Sequence, residues 1–356
     1  MSTLKVTVEQ LTVHEHPNAD ALELAQVGLY RAVVAKGVYT TGDFALYIPE
    51  QAVLPADLID ELGLTGRLSG SGADRVKAVR LRGELSQGLV CRPRALAGVD
   101  LARAAAEGTD FTERLGISKW VPPVPTSMSG DVEAAPDLLP WVDIENIQRY
   151  PGIFEPGEPV VLTEKLHGTA CLLTYVAAED RVLVSSKGFG SKGLALKEDE
   201  RNLYWRAVRG HHVPEAAAKL AARLGATRVG IFAEVYGAGV QDLAYDTDAR
   251  TSGPGYAVFD VSAEIGGQVR WLDAAELLAD GSLPLVPRLY EGPYDLDKVL
   301  ELATGRETVS GRQAHLREGV VIRPAAERYS PVVGGRAIAK AVSPAYLTRK
   351  GGTEFE

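Results

Sequence analysis

The stretch that decides the fold is Val160-Val161-Leu162-Thr163-Glu164-Lys165-Leu166-His167-Gly168-Thr169. An apolar run of strand type leads into Lys165, and Gly168 turns the backbone away, so the lysine is predicted to lie at the end of a strand. A lysine in that place can attack the α-phosphate of a nucleotide. The Lys-x-x-Gly spacing alone is a weak signal, because 12 lysines and 37 glycines in 356 residues give about one match by chance. In isolation, such a lysine is more often a solvated charge.

An ordered series of motifs follows Lys165 and carries more weight than the lysine alone. It consists of Ser185-Ser186-Lys187, Phe232-Ala233-Glu234-Val235-Tyr236-Gly237-Ala238-Gly239-Val240-Gln241, Tyr256-Ala257-Val258-Phe259-Asp260, Glu318-Gly319-Val320-Val321-Ile322-Arg323 and Ala339-Lys340-Ala341-Val342-Ser343. The series resembles the nucleotidyltransferase motifs of the covalent ligase and capping superfamily. Its closest likeness is to ATP-dependent RNA ligases of the nick-sealing phage type, because His167 stands where DNA ligases usually have aspartate. The whole chain resembles the bacterial RNA ligases that carry an N-terminal OB-like module.

The resemblance implies a role for each motif residue. It makes Lys165 the nucleophile that becomes a lysyl-AMP. Glu234 matches the ribose contact and Glu318 the metal-linked carboxylate, and both suit a divalent cation such as Mg²⁺ or Mn²⁺. The remaining implied contacts of ATP are a phosphate or metal-shell contact for His167, stacking on adenine for Tyr256, phosphate contacts for Lys187 and Lys340, and a place beside the nucleotide for Glu164 and Gly168. For Tyr256 the alternative is plain core packing, and Phe259 is expected in the core.

Elementary chemistry supports part of this assignment. A lysine with a pKa of about 10.4 is almost fully protonated at neutral pH, so Lys165 needs nearby positive charge to become a nucleophile. Lys187, Lys340 and a bound metal are expected to supply that charge. The last motif of the family usually reads Lys-x-Lys, whereas Val342 stands at the second lysine position. Phosphate contact is therefore expected to rest on Lys340, with Arg323 or Arg336 as further candidates.

The segment pattern predicts an α+β protein of two parts. Short β-type runs separated by turn residues fill the first 93 residues, with one short helix from Ala56 to Leu62, as in a small all-β OB-like barrel. A Pro-rich linker is expected at 121–140 after an OB-like module at 1–120. Residues 141–356 alternate strand-like and helix-like runs and are expected to form a ligase-type nucleotidyltransferase domain of antiparallel sheets with flanking helices. Helices are expected from Glu215 to Leu224, between Pro214 and Gly225, and from Leu272 to Ala279, ahead of Asp280-Gly281.

Composition restricts the class of protein further. The chain has 46% hydrophobic residues and a net charge of -9, which excludes disorder and argues weakly against a nucleic-acid partner. No apolar run reaches the length of a membrane span, and the two cysteines are far apart, so a cytoplasmic protein without a membrane segment is expected. A monomer is expected.

Basic residues concentrate in two segments despite the acidic total. Six Lys or Arg oppose one Glu between residues 75 and 94, and nine oppose three between residues 306 and 350. Affinity for phosphates depends on where cations converge rather than on net charge. RNA, or a nicked duplex that contains RNA, is therefore the expected partner, bound by the OB-like module and the basic C-terminal region.

Three alternatives stay open at this stage. A DNA ligase or a capping guanylyltransferase would carry an OB domain after the last motif, and only 16 residues follow Lys340, so neither is expected. The third is a catalytically silent RNA-binding protein in which the missing second lysine marks decay. The intact Lys165, Glu234 and Glu318 favour the enzyme.

Overall fold

The computed structural model describes residues 3–355. The chain divides into two compact units. The first contains the chain up to Val121 together with Glu145–Pro151, and the second contains Pro122–Ile144 and the chain from Gly152 onward. The expected linker therefore belongs mostly to the second unit, where the Leu139 amide donates a hydrogen bond to Thr174 Oγ1 at 3.1 Å.

The first half of the chain is mostly short strands, as the turn spacing predicts. Its strands and helices are β1 (Thr7–Gln10), β2 (Thr12–Glu15), β3 (Leu22–Val27), β4 (Tyr30–Ala35), β5 (Phe44–Ile48), β6 (Ala52–Val53), α1 (Ala56–Glu61), β7 (Val79–Leu81), β8 (Glu84–Ser86), β9 (Leu89–Cys91), α2 (Leu101–Glu107), β10 (Ser118–Lys119), β11 (Val132–Ala134) and β12 (Glu145–Asn146), with a 3₁₀ turn at Arg94–Leu96.

The first unit is built mainly of short antiparallel strands, as predicted, but it also contains the helix α2, which was not predicted. β2, β3 and β4 form one antiparallel sheet, and β1, β5 and β9 form another. Alternating apolar residues of these strands fill two clusters inside the unit, one of which includes Leu46 and Ile48 and the other Ala45 and Tyr47. This alternation buries both faces of β5. The predicted helix after Pro55 is confirmed as α1.

The second half of the chain mixes strands and helices. Its elements are β13 (Pro159–Lys165), β14 (Thr169–Val176), β15 (Arg181–Ser186), α3 (Lys187–Gly190), β16 (Leu194–Leu196), α4 (Leu203–Gly210), α5 (Val213–Leu224), β17 (Arg228–Tyr236), β18 (Gly255–Ile265), β19 (Gln268–Leu272), α6 (Ala274–Leu277), β20 (Arg288–Pro293), α7 (Leu296–Ala303), β21 (Gly319–Pro324), β22 (Tyr329–Ser330), β23 (Gly335–Arg336), β24 (Ala339–Val342) and α8 (Pro344–Leu347), with 3₁₀ turns at Pro151–Ile153 and Ala177–Glu179.

A seven-stranded antiparallel sheet forms the larger layer of the second unit. Its order is β11-β16-β15-β14-β17-β18-β19. Side chains on one face, such as Cys171, Ile231 and Val258, pack with α4 and α5 in one core of fully buried residues. α5 is the longest helix in the part of the chain that the structure describes, and Gly225 ends it in a left-handed conformation with φ of 60°.

A second antiparallel sheet carries Lys165. β24, β21, β13 and β20 are neighbours in that order, with Lys165 opposite Gly319 and Thr163 opposite Val321. A side chain at Gly319 would place Cβ 2.1 Å from the Ala341 carbonyl oxygen, so only glycine fits at this crossing of strands. The predicted α+β class with antiparallel sheets is confirmed. No helix within residues 3–355 is long and apolar enough to cross a membrane.

Candidate active site

Lys165 ends β13 and pairs with a carboxylate. Its Nζ lies 2.7 Å from Glu318 Oε1, and the two side chains are 24% and 10% exposed. Burial alone would lower the pKa of Lys165, but the negative charges of Glu318 and Glu234 outweigh it and raise the pKa above its ordinary value. Carboxylates therefore dominate the surroundings of Lys165 in this structure, and its activation by Lys187, Lys340 and a bound metal stays a prediction. The amine is held protonated, as an ion-pair partner.

Glu234 is a second carboxylate in the same cluster, on β17. Burial, with the negative charge of Glu318, raises its pKa to about 8, against the opposing charges of Lys165 and Lys187. Two carboxylates that share one lysine thus carry an unfavourable excess of negative potential, which an additional cation would relieve. Within residues 3–355, no three His, Cys, Asp or Glu side chains form a preformed metal cage. The pair instead fits Mg²⁺ or Mn²⁺, which proteins hold with one or two carboxylates completed by water and substrate phosphates.

Lys187 lies at the start of α3, directly after β15. Its Nζ is 2.7 Å from Asp143 Oδ1 and 5.8 Å from the ring centroid of Trp141. The same tryptophan meets Phe259 edge to face, with 6.2 Å between ring centroids. Sequence patterns missed Trp141 and Asp143, which follow directly after the segment at 121–140 that we expected to be a linker and belong to no motif. Lys187 therefore connects the carboxylate cluster to a group of aromatic rings.

Lys340 occupies the central position of β24 opposite Val321, which in turn lies opposite Thr163. Directly opposed residues of an antiparallel sheet project to the same face, and Thr163 and Lys165 share a face because they are two residues apart. Lys340 and Lys165 therefore project from one face of this sheet. The predicted phosphate contact of Lys340 stays a prediction.

A cavity of about 320 Å³ lies on this face, lined by Thr163, Phe259, Trp271 and Arg323 among others. Two polar atoms at its wall, Thr163 Oγ1 and Arg323 Nε, are buried without a hydrogen-bond partner in the described part of the chain. Orphaned donors and acceptors in a cavity of this size are typical of a ligand pocket. Arg323 is otherwise fixed by its Nη2, which donates to the Phe259 carbonyl at 2.8 Å.

His167 lies in a hydrogen-bond network, and its expected contact with phosphate or metal stays a prediction. Its ring is buried, with Nε2 2.7 Å from Asp242 Oδ1 and Nδ1 2.8 Å from the hydroxyl of Tyr346. Both ring nitrogens are thus engaged, and the nearest oxygen of Glu318 is 3.7 Å from Nδ1. The network also includes Arg349, which forms an ion pair with Asp242. No motif in the sequence identified Asp242, Tyr346 or Arg349.

Two predicted nucleotide contacts, Glu164 and Tyr256, project away from Lys165 and from the cavity, because side chains alternate between the two faces of a strand. Glu164 projects to the opposite face of β13 from Lys165 and is 1% exposed, with Oε2 accepting hydrogen bonds from the amide and hydroxyl of Thr308. Tyr256 is fully buried in the core beneath α4 and α5, stacked on His211. The core alternative for Tyr256 is therefore the one that the geometry favours. Phe259, expected in the core, is only half-buried and lines the cavity.

Gly168 is required at the start of β14. A Cβ at this position would lie 2.2 Å from the Val235 carbonyl oxygen. The turn after Lys165 therefore depends on the close approach of two backbones, as the motif predicts.

In both basic segments several arginines are buried or form ion pairs, so fewer of them are exposed for binding phosphate than the composition predicts. In the first unit, Arg75 is buried over the ring of Trp120 and Arg92 pairs with Asp43, whereas Arg80 and Arg82 are exposed on the β7–β8 hairpin. In the basic segment between residues 306 and 350, six arginines form ion pairs with Asp or Glu, namely Arg312, Arg317, Arg323, Arg328, Arg336 and Arg349.

Comparison with protein families gives two matches. A model described as RNA ligase matches residues 158–342, and a model of an OB-fold domain matches residues 5–93. No curated protein matches the sequence.

Solved structures of Naegleria gruberi RNA ligase resemble the chain over nearly its whole length. An apo variant is 25% identical with a TM-score of 0.77, and the match covers 98% of each chain. A variant with AMP and Mn is 25% identical with a TM-score of 0.77, covering 97% of this chain and 98% of that one. A variant with ATP and Mn is 25% identical with a TM-score of 0.75, covering 98% of both.

Proposed function

The chain belongs to the RNA ligase family, and we propose that it is an ATP-dependent ligase that joins 3′-hydroxyl and 5′-phosphate ends through a lysyl-AMP at Lys165. The observation that carries this proposal is the cluster at the end of β13. There, one lysine lies 2.7 Å from Glu318, and Glu234 acts on the same lysine. The relatives with bound nucleotide support ATP as the co-substrate.

The first step is attack of Lys165 Nζ on the α-phosphorus of ATP. A P–N bond forms, the P–O bond to the β-phosphate breaks, and pyrophosphate leaves. Lys165 must lose a proton before or during this attack, and Glu318 Oε1 is the atom within hydrogen-bond distance to accept it. Lys187 and Lys340 are proposed to stabilise charge on the phosphates.

Glu234 and Glu318 are proposed to hold the divalent cation. When bound, the cation supplies positive charge that neutralises phosphate oxygens and the carboxylate pair. Its charge would also disfavour protonated Lys165, which is the effect that the ligand-free cluster lacks. Glu234 is proposed to accept a hydrogen bond from ribose in addition, because a single carboxylate has two oxygens.

The cavity beside Thr163 is proposed to take the nucleobase. Thr163 Cα lies about 7 Å from Lys165 Cα along β13, a separation that suits a base and an α-phosphate of one nucleotide. Phe259 offers a half-exposed ring for stacking, and Thr163 Oγ1 offers a free polar atom to the base edge. This assignment replaces Tyr256 by Phe259 as the stacking residue.

The two later steps transfer and release AMP. The 5′-phosphate oxygen of the RNA attacks the phosphorus of lysyl-AMP, which breaks the P–N bond and forms a pyrophosphate linkage. The 3′-hydroxyl then attacks the 5′-phosphate, a phosphodiester forms, and AMP leaves. Positioning and charge stabilisation dominate such in-line transfers. A nick in an RNA-containing duplex is the proposed substrate, because it presents both ends side by side.

The first unit is proposed to contact the RNA backbone through the β7–β8 hairpin. OB folds bind nucleic acid with the loop between their first and second strands and the loop between their fourth and fifth strands. We take β1 and β2 together as the first OB strand and β5 as the fourth, so these loops are residues 16–21, after β2, and 49–88, between β5 and β9. These loops meet, because the Leu81 carbonyl lies 3.1 Å from His16 Nε2 and the Arg82 carbonyl accepts from Asn18 Nδ2 at 3.1 Å. The exposed Arg80 and Arg82 are then the phosphate contacts. The C-terminal segment contributes less, since most of its arginines are paired.

Covalent labelling tests the function. The protein is incubated with Mn²⁺ and ATP labelled at the α-phosphate, after bound AMP has been removed with pyrophosphate. We expect label on the chain, none with Lys165→Ala, and none when GTP replaces ATP. Absence of label on the wild-type chain would leave a catalytically silent RNA-binding protein, and label from GTP would favour capping chemistry.

A further inference from the structure

Asp242 is the centre of a hydrogen-bond network beside the proposed nucleophile. It stands in the connection between β17 and β18, and its side chain is 19% exposed. Oδ1 receives the Thr353 amide at 2.8 Å, and Arg349 donates from Nε to Oδ2 at 2.9 Å and from Nη2 to Oδ1 at 3.0 Å. Burial would raise the pKa of Asp242, but hydrogen bonds from His167, Arg349 and Thr353 outweigh it and hold the pKa well below its ordinary range. Asp242 is therefore an ionised acceptor.

This carboxylate fixes the ring of His167. Because an ionised carboxylate can only accept, Nε2 of His167 carries the hydrogen in the 2.7 Å bond to Asp242. Nδ1 then accepts from the hydroxyl of Tyr346 at 2.8 Å, and the main-chain amide of His167 donates to Tyr245 at 2.7 Å. Three separate bonds therefore fix the position and the tautomer of this residue.

The same C-terminal segment also reaches Gly168. Gln241 Nε2 donates to the Gly168 carbonyl at 3.1 Å, and the hydroxyl of Thr353 lies 2.7 Å from Gln241 Oε1. Residues 349–353 thus contact the turn after Lys165 at two points, through Asp242 to His167 and through Gln241 to Gly168.

Packing already holds this part of the fold without the charges. Leu166, Tyr245, Ala257 and Tyr346 form an apolar cluster with Leu243 around the turn. A shielded ion pair is weak evidence for stability, because the loss of hydration offsets much of the Coulomb attraction. The convergence of the Asp242 bonds on one turn therefore indicates a role in alignment.

We propose that Asp242, Arg349 and Thr353 are positioning residues for nucleotidyl transfer, which hold His167 and Gly168 and thereby align Lys165 with Glu318 and the α-phosphate. The proposal rests on the proposed function. A small misplacement of a reacting group is enough to slow a transfer about 100-fold. These residues do not touch the nucleotide, so they act on the rate of the chemical step and leave the affinity for ATP unchanged.

Single-turnover adenylylation of the full chain tests the proposal. Asp242→Asn keeps the shape of the side chain and removes its charge, and we expect the rate at saturating ATP to fall about 10- to 100-fold with KM within about twofold. Asp246→Asn is the matched control, because Asp246 lies four residues away in the same connection and forms only an exposed pair with Arg312 at 3.4 Å. Its rate should equal that of the wild-type protein.

A second pair of variants, at Thr353, distinguishes a loss of positioning from a folding defect. Thr353→Ser keeps the hydroxyl and the amide bond, whereas Thr353→Val removes the hydroxyl that contacts Gln241. We expect Ser to keep the wild-type rate and Val to lower it at an unchanged melting temperature.

The outcomes separate this inference from the proposed function. Equal rates for Asp242→Asn and Asp246→Asn, or equal rates for the two Thr353 variants, would overturn the positioning role while the wild-type adduct still forms. Absence of any adduct on the wild-type protein would overturn both.

Discussion

Two carboxylate–cation pairs, Asp242 with Arg349 and Glu318 with Lys165, lie near the turn at His167. They differ in whether donors and positive charge balance the carboxylates. The pair of Asp242 and Arg349 is saturated, since several donors converge on one carboxylate and depress its pKa. The pair of Lys165 and Glu318 is unsaturated, since Glu234 adds a second carboxylate whose pKa is raised to about 8. A saturated pair keeps its partners, whereas an unsaturated one exchanges them readily when a cation or a phosphate arrives. The difference indicates which pair does chemistry and which one aligns it.

Replacing the nucleophile while keeping its charge separates the two roles of Lys165 and is the largest expected effect. Lys165→Arg preserves a cation opposite Glu318 but provides no nucleophilic amine at neutral pH, because a guanidinium is not deprotonated there. We expect no covalent AMP on this variant and a melting temperature close to that of the wild-type protein. Lys192→Arg, at an exposed position after α3, is the control and should be labelled normally.

Labelling of Lys165→Arg would show that the adduct forms on another residue.

Replacing Glu318, the proposed proton acceptor, tests the carboxylate of the unsaturated pair. Glu318→Gln keeps a hydrogen-bond acceptor near Lys165 but loses the negative charge that takes the proton and binds the cation. We expect the adenylylation rate to fall about 100- to 10,000-fold, the typical contribution of general base catalysis. Glu301→Gln, an exposed carboxylate that pairs with Lys298 on α7, serves as the control measured in the same assay.

A loss smaller than that of Asp242→Asn would reverse our ranking of the two pairs.

Cation binding should stabilise the fold in a way that depends on pH. The folded-state pKa of Glu234 is raised to about 8, above its ordinary value of 4.5, so the folded chain binds more protons than the unfolded chain between these values. Glu234 therefore lowers stability as the pH rises through this window. Mn²⁺ competes with the proton, so the rise in melting temperature on adding Mn²⁺ should be larger at about pH 8 than at about pH 5, by a few degrees.

Glu234→Gln cannot titrate and should remove most of this difference, measured by thermal unfolding with matched ionic strength. A wild-type response that is the same at both pH values would show that Glu234 does not hold the cation.

Sequence reasoning located the cluster but not its electrostatics. Lys165, Glu234 and Glu318 stand in motifs, and strand ends could be predicted from the apolar runs that precede them. The raised pKa of Lys165 arises from three-dimensional neighbours and could not be read from the order of residues. Nothing in the sequence links Asp242 to residues more than 100 positions later, so the saturated pair was not predictable.

The fold was predictable where local signals were strong. The helix after Pro55 and the helix ending before Gly225 match α1 and α5 closely, because proline and glycine mark their ends. The helix expected from Leu272 to Ala279 is only Ala274–Leu277, since Leu272 is still paired in β19 and Asp273 caps the helix. α4 and α7 were not predicted, although Asn202 and Asp295 cap their first turns. Pairing between distant strands was not predictable at all.

The sequence predicted the wrong faces of β18 for two aromatic rings, with Tyr256 expected at the nucleotide and Phe259 expected in the core. The two residues are three positions apart, so on a regular strand they project to opposite faces. β18 has an irregular register at this point, with Phe232 opposite Asp260 and Ala233 opposite Val258, which leaves Phe259 as the extra residue. Alternation up to Phe259 therefore places its ring on the face opposite Tyr256, and the bulge changes the register only beyond it. Because Tyr256 faces the core, the expected core and cavity positions of the two rings are exchanged.

Paired substitutions by leucine test this exchange and are expected to give the smallest effects. Phe259→Leu removes the ring that lines the cavity, so KM for ATP should rise about 10-fold, which corresponds to the stacking of one base on an aromatic side chain. Tyr256→Leu should leave KM unchanged and lower the free energy of unfolding by about 2 kcal/mol, because it leaves a void in a fully packed core. KM comes from adenylylation at varied ATP and stability from denaturant unfolding. The opposite pattern, a raised KM for Tyr256→Leu with Phe259→Leu unaffected, would place the base against the other ring and contradict the pocket that we assign to it.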